Sequence, residues 1–135
     1  MNTYYYAGKG LLALPNLVSI SCTRNENATR YLQNRDYRQY KPLAPDWNTM
    51  VGPYKNGSIT KEEYTKRYEQ QLSNLNADDV AKELGEDATL LCYEPSNEFC
   101  HRHIVAEWLT HYGHTTTEYK YVQPLSPALQ EEFEF

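Results

Sequence analysis

The sequence predicts one α/β domain, with a small and mostly parallel sheet of about four or five strands flanked by helices. Residues 88–93 form an apolar run that ends at Pro95-Ser96-Asn97, the mark of a buried strand followed by a turn. Beyond that turn Ile104, Val105, Trp108, Leu109 and Tyr112 recur at helical spacing, so the period changes from strand to helix within a few residues. At 135 residues the chain is long enough to bury a core and short enough for one domain, taken as 1–123 with an acidic tail over 124–135.

Tyrosine content marks residues 3–7 as a strand, closed by Gly8-Lys9-Gly10; two glycines around a lysine are too short for a phosphate loop and read as a turn. A second strand is expected over 17–22, with Val18 and Ile20 on one face and Cys22-Thr23-Arg24 at its carboxyl end. Residues 25–53 carry Pro42, Pro45 and Pro53 among scattered aromatics, and read as a short helix over 28–33 followed by ordered loop. Tyr40, Lys41, Asp46 and Trp47 on that loop are candidates either for a cover over a site or for packing against the sheet edge.

Asn56-Gly57 is a turn, and Thr60-Lys61-Glu62-Glu63 has the form of a capping box opening a helix whose inner stripe is Tyr64, Tyr68, Leu72 and Leu75. Asn76 caps a shorter helix that Gly85 stops. The 88–93 strand and its helix follow, the latter capped by Asn97 and ending near Gly113, and a Thr- and Tyr-rich strand over 115–122 closes the fold.

Composition sets limits on function. Hydrophobic residues make up 40% and charged residues 23%, ordinary for a globular domain. A net charge of −5 disfavours general binding to a nucleic-acid backbone or an anionic membrane, although a local basic pocket survives that average. No run is long enough to span a membrane and the first residues lack a signal-peptide pattern, so a cytosolic location is expected. Three cysteines in that setting argue for reduced thiols rather than a disulfide framework. Thirteen tyrosines supply rings for a core edge or a groove.

The residues with chemical capacity gather at one turn. Cys92 stands near the end of the central strand, and Cys100-His101-Arg102-His103 falls at the start of the next helix, where free N–H groups and the helix dipole favour anions and thiolates. These stretches also resemble a known family. Leu90-Leu91-Cys92-Tyr93-Glu94, the spacing to Phe99-Cys100-His101-Arg102-His103, and the helix running to Trp108-Leu109 are similar to the signature of domain-of-unknown-function family 488, small bacterial and viral proteins. Val18-Ser19-Ile20-Ser21-Cys22-Thr23-Arg24, Tyr40 to Pro45 and Tyr54 to Tyr64 resemble that family's earlier segments. The resemblance implies membership over nearly the whole chain and brings no activity with it.

Chemistry therefore has to be read from the residues. The sharpest reading is an anion pocket with an active thiol: Cys100 as thiolate, His101 as its proton partner, Cys92 as a second thiol or a packing residue, Arg102 and Arg24 as an anion clamp, and Tyr40, Lys41 and Trp47 as cover. Its reaction would be thiol-dependent transfer or hydrolysis on a phosphate-bearing or nucleotide substrate. A tyrosine-phosphatase loop is excluded, because its arginine stands six positions after the nucleophile and Glu98 holds that place after Cys92. The alternatives are a non-catalytic module for a nucleotide or a nucleic-acid end, and structural cysteines braced by Arg102 with Glu94 as its partner. Cys92, Cys100, His101 and His103 are zinc-type ligands, but their spacing matches no structural zinc pattern, and the His103, Glu107, His111 face reads as solvated. Neither a metal nor a cofactor is assigned.

Overall fold

A computed structural model describes residues 1–22, 31–32 and 36–123. Among the described residues five strands form one parallel sheet: β1 (Asn2–Tyr5), β2 (Leu17–Ser19), β3 (Arg38–Gln39), β4 (Thr89–Cys92) and β5 (Thr117–Glu118), in the order β3-β2-β4-β1-β5. Four α-helices with described bounds accompany it among the described residues: α1 (Gly52–Lys55), α2 (Lys61–Ser73), α3 (Ala77–Leu84) and α4 (His101–His111). No helix among the described residues is long and apolar enough to cross a membrane.

β4 is paired on both sides, Tyr5 opposite Cys92 in β1 and Val18 opposite Leu90 in β2, and all four of its residues are buried. Its unbroken apolar run follows from this, since each face meets a core. Leu90 joins Val18 and Ile20 under Tyr68, Leu72, Leu84, Val105 and Leu109 of the helices, while Leu91 joins Tyr4, Tyr6, Leu17 and Leu32 on the other face. Each such leucine contributes about 1.5–3 kcal/mol by leaving water.

The two middle helices start where their caps predict. Thr60 Oγ1 accepts from the Glu63 N–H at 3.1 Å, and the Asn76 side chain accepts from the Asp79 N–H at 3.0 Å. Only half of the capping box forms, because the Glu63 carboxylate takes a hydrogen bond from Arg67 Nε at 3.0 Å instead of turning back. Gly85 ends α3 at φ 92°, which a side chain would resist.

Two expectations change. The region read as loop before Pro53 holds β3, a π-helical turn over Trp47–Val51 and the single-turn α1; these are too short for a periodicity to register, and Pro53 sits in a first turn, where its missing N–H is no loss. The α4 cap is Cys100 and not Asn97, because the Glu98 N–H closes a tight turn on the Pro95 carbonyl at 3.0 Å and delays the helix by three residues. Of the helix expected over 28–33, only Tyr31 and Leu32 are described, and both are helical; the acidic tail lies outside the described residues.

Topology sets the site. From the neighbouring strands β2 and β4 the chain leaves in opposite directions, toward β3 at one edge and past β1 to β5 at the other. Leu32, between β2 and β3, packs on the Leu91 face, whereas α4, between β4 and β5, packs on the Leu90 face. Such a reversal opens a crevice at the carboxyl ends of the two strands.

Candidate functional site

The crevice is floored by residues that end β2 and β4 and begin α4. Cys92 closes β4, Cys100 caps α4, and a disulfide joins them with Cα atoms 7.6 Å apart. The expectation of reduced thiols at this pair is corrected in this state. Both cysteines are buried, as is His101 beside them. A backbone carbonyl only accepts, so the His101 ring donates from Nε2 to the Ile20 oxygen at 2.6 Å and keeps Nδ1 as the acceptor of its neutral form. Nδ1 lies 3.7 Å from Cys100 Sγ. Burial pushes the His101 pKa down to about 4, against the pull of the Ile20 carbonyl, and Arg102 and His103 lower it further, so the ring is neutral near pH 7.

Arg102 lies beneath the crevice rather than in it. Its side chain is wholly buried, and it donates from Nε and Nη2 to the two Glu118 oxygens at 3.1 and 2.8 Å. Its third contact is from Nη1 to Cys92 Sγ at 3.1 Å. The partner expected at Glu94 is therefore Glu118 of β5, whose carboxylate also accepts from Thr3 Oγ1 at 2.6 Å. Burial alone would raise the Glu118 pKa; hydrogen bonds from Arg102, Ser96 and Thr3 outweigh it and hold the pKa below the ordinary value.

Three adjoining cavities form one groove above this floor. The middle one, about 520 Å³, is lined by Cys92, His101, Glu94, Tyr64, Lys55 and Trp47. Toward β3 it shares Ser21, Cys22, Pro45 and Trp47 with a cavity of about 790 Å³ that also reaches Ser19, Gln39 and Lys41. Toward α4 it shares Lys55, Tyr64, Glu94 and His101 with one of about 300 Å³ that reaches Cys100. The largest of the three touches neither cysteine of the pair, and the middle one is lined by Cys92. Trp47 is 46% exposed, and the Lys55 ammonium lies 5.5 Å from its ring centroid.

The fold thus brings Cys92, Cys100, His101, Glu94, Lys41 and Trp47 to one groove. Tyr40 lines the largest cavity, yet its ring is buried and its hydroxyl donates to the Glu83 carboxylate of α3, which favours packing over cover among the two readings of this loop. Arg24 lies outside the described residues. Of metal-type ligands, the group that converges among the described residues is Cys92, Cys100 and His101, their donor atoms within 4.8 Å of one another. His103 is not in that group, and its buried Nε2 has no hydrogen-bond partner among the described residues.

Sequence reasoning passed over Lys55, Glu118 and the buried hydroxyls Tyr6, Ser19 and Ser21. Tyr6 donates to Ser19 Oγ at 2.6 Å and lies 3.0 Å from Ser21 Oγ, and its phenol pKa is raised by burial. The alternation Ser19-Ile20-Ser21 at a strand end was the available signal, since it puts both hydroxyls on one side.

The family model described as DUF488-N3a, the active DUF488-N3 subclade, matches residues 18–113. The chain belongs to this family. The matched span contains both cysteines, His101 and the groove-lining Trp47 and Lys55 of this DUF488-N3a member, whereas β1 and β5 fall outside it. Glu118, which fixes Arg102, is thus supplied from beyond the matched segment. No curated protein and no solved structure matches the chain.

Proposed function

We propose that this family member is a small thiol-dependent enzyme that acts on a phosphate-bearing or nucleotide ligand held in the β2–β4 crevice. One observation carries the reading: a single cavity of about 520 Å³ is lined by Cys92 and His101 and also by Trp47 and Lys55, so a reactive end and a recognition end share one space. The description of the matched subclade as active supports catalysis over a purely structural role for the cysteines.

Cys92 is the attacking sulfur in this reading. Its contact with the Arg102 guanidinium at 3.1 Å favours the thiolate once the disulfide is reduced by an external dithiol. The thiolate forms a bond to an electrophilic centre of the ligand as the leaving group departs with its electron pair. Water then cleaves that adduct, its proton passing to Glu94, and the Cys92 thiolate is restored. Cys100 is the redox partner: when no substrate is bound, a small-molecule disulfide takes up the two electrons and two protons as the Cys92–Cys100 bond forms and leaves as two thiols, and Nδ1 of neutral His101 accepts a hydrogen bond from the reduced Cys100 thiol. Trp47 offers a face for a base, and Lys55 and Lys41 offer charge for phosphate.

The test is iodoacetamide alkylation of the reduced protein across pH, with the sites located by peptide mass spectrometry and with AMP or inorganic phosphate as protectant. The expected result is a Cys92 midpoint below the ordinary thiol value of about 8.5, protection by AMP, and loss of protection in Lys55→Ala. A Cys92 that stays inert until the protein unfolds overturns the nucleophile. AMP binding seen by calorimetry without thiol reactivity would make the crevice a binding module instead.

A further inference from the structure

We infer that the reduced protein binds one soft divalent cation, of which Zn²⁺ is the representative, through Cys92, Cys100 and His101. The inference goes beyond the thiol chemistry above and does not depend on it. The spacing matches no structural zinc pattern, but the fold brings the three ligands, from the end of β4 and the start of α4, within reach of one ion.

The donor set comes first. Two sulfurs and an imidazole, all buried and all within 4.8 Å of one another, are the ligand types and the crowding that tetrahedral zinc requires. The orientation of the ring is the second observation. His101 Nε2 is held on the Ile20 carbonyl at 2.6 Å, the outer contact that fixes a metal-bound histidine, and this turns Nδ1 toward Cys100. Third, Arg102 donates to Cys92 Sγ at 3.1 Å, which suits a sulfur that keeps its negative charge while ligating.

The backbone agrees with an ion between the sulfurs. The Cα atoms of Cys92 and Cys100 stand 7.6 Å apart. Disulfides usually span roughly 4.4–6.8 Å at that level, and zinc holds each sulfur at about 2.3 Å from itself, so the wider spacing accommodates two thiolates around one ion with the backbone unmoved. Cys92 and His101 line the middle cavity, so the fourth coordination position faces the groove, where water or a ligand group completes it.

Loading needs reduction. An external dithiol supplies two electrons and two protons to open the disulfide to two thiols. Zn²⁺ then displaces both thiol protons to solvent, while neutral His101 binds through the Nδ1 lone pair and releases none. A bound ion takes both sulfurs out of nucleophilic use, so zinc and alkylating reagent exclude each other.

The experiment titrates the full chain with Co²⁺ and then Zn²⁺, once after phosphine reduction and once as the disulfide, with no substrate present. The reduced protein is expected to develop sulfur-to-cobalt charge-transfer and tetrahedral d–d bands that saturate at one equivalent and bleach with Zn²⁺; the disulfide form develops none. Outer-shell changes at metal sites cost about 10–100-fold in affinity, so Cys92→Ser and His101→Gln should each lose more than about a hundredfold. Cys22→Ser should keep the stoichiometry, and Zn²⁺ should raise the Tm of the reduced wild-type protein and of reduced Cys22→Ser but not that of the disulfide form. Reduced wild-type protein with its thiols titratable and no cobalt bands overturns the site, and needs no variant to fold. Loss of binding in Cys22→Ser overturns this choice of ligands. Failure of the thiol reaction is seen separately, in alkylation rates without metal.

Discussion

Helices α2 and α3 begin on Thr60 and Asn76, whose side chains each satisfy a free N–H of the first turn, whereas α4 begins on Cys100, whose side chain makes no capping hydrogen bond. Backbone geometry does not separate them, because all three caps are extended: φ −82° at Thr60, −95° at Asn76 and −153° at Cys100. The position at Cys100 would thus accept a serine and its hydroxyl, and the chain carries a thiol there. Helices α2 and α3 follow the local capping rule, and α4, which floors the crevice, departs from it, the kind of local departure that marks a candidate site.

The sharpest way to break this contrast is through two arginines. Arg67 and Glu63 pair on the surface of α2 with side chains 39% and 42% exposed, while Arg102 is wholly buried against Glu118. The same ion-pair chemistry has different worth in the two settings. Arg67→Ala should cost no more than about 0.5 kcal/mol, since water and salt screen the pair and solvate what remains. Arg102→Ala leaves a half-buried carboxylate unpaired and a void below the cysteines, and should cost about 3–5 kcal/mol. Urea denaturation of the two variants compares them directly. Equal losses would mean that Arg102 is not the brace under the crevice.

Acid sharpens the same contrast. His101 has its pKa lowered from 6.5 to about 4 in the fold, so the native state favours the neutral ring. Its contribution is fully present above pH 6.5 and is lost as pH falls toward 4, a loss of about 3 kcal/mol by linkage. Glu118, whose pKa is lowered from 4.5, acts in the same sense but only below that value, so the two windows separate. Stability of the disulfide form, measured with a chelator from pH 8 to 4, should fall between 6.5 and 4. His101→Gln keeps a donor for the Ile20 carbonyl and should reduce the slope in that interval to what His103, whose pKa burial also lowers, still contributes. An unchanged slope in the variant would assign the acid sensitivity elsewhere.

What the sequence disclosed follows the same division. The α2 and α3 boundaries were readable because caps and apolar stripes are local signals, and the strand around Leu90 and Leu91 was readable because burial on both faces leaves an unbroken apolar run. The crevice was readable as far as its location, since the sequence placed Cys92, Cys100 and His101 at a strand–helix turn. Partners were not. Arg102 finds Glu118 sixteen residues on, across a helix and in another strand, and Lys55 reaches the groove on a single helical turn with no periodicity to announce it. Such pairings depend on strand order, which no local pattern encodes. Packing was one of two readings open for Tyr40, and its partner was hidden for the same reason, because the Glu83 carboxylate that takes its hydroxyl belongs to α3.

The smallest effect is the most informative about the caps themselves. Thr60→Ala and Asn76→Ala remove a satisfied cap and should each cost about 1 kcal/mol. Cys100→Ser should move the other way when compared with reduced wild-type protein, gaining up to about 1 kcal/mol as the new hydroxyl accepts from an N–H of the first α4 turn. The reference has to be the reduced protein, because the variant cannot form the disulfide and the constraint of that bond would mask the cap. Urea midpoints with a reductant present decide the sign. A gain in stability together with loss of cobalt binding would mean that the thiol at this cap is held against the local preference of the helix for the sake of the crevice. A loss of stability would mean that Cys100 is kept for packing between β4 and α4, and the contrast among the three helices would then rest on core volume rather than on function.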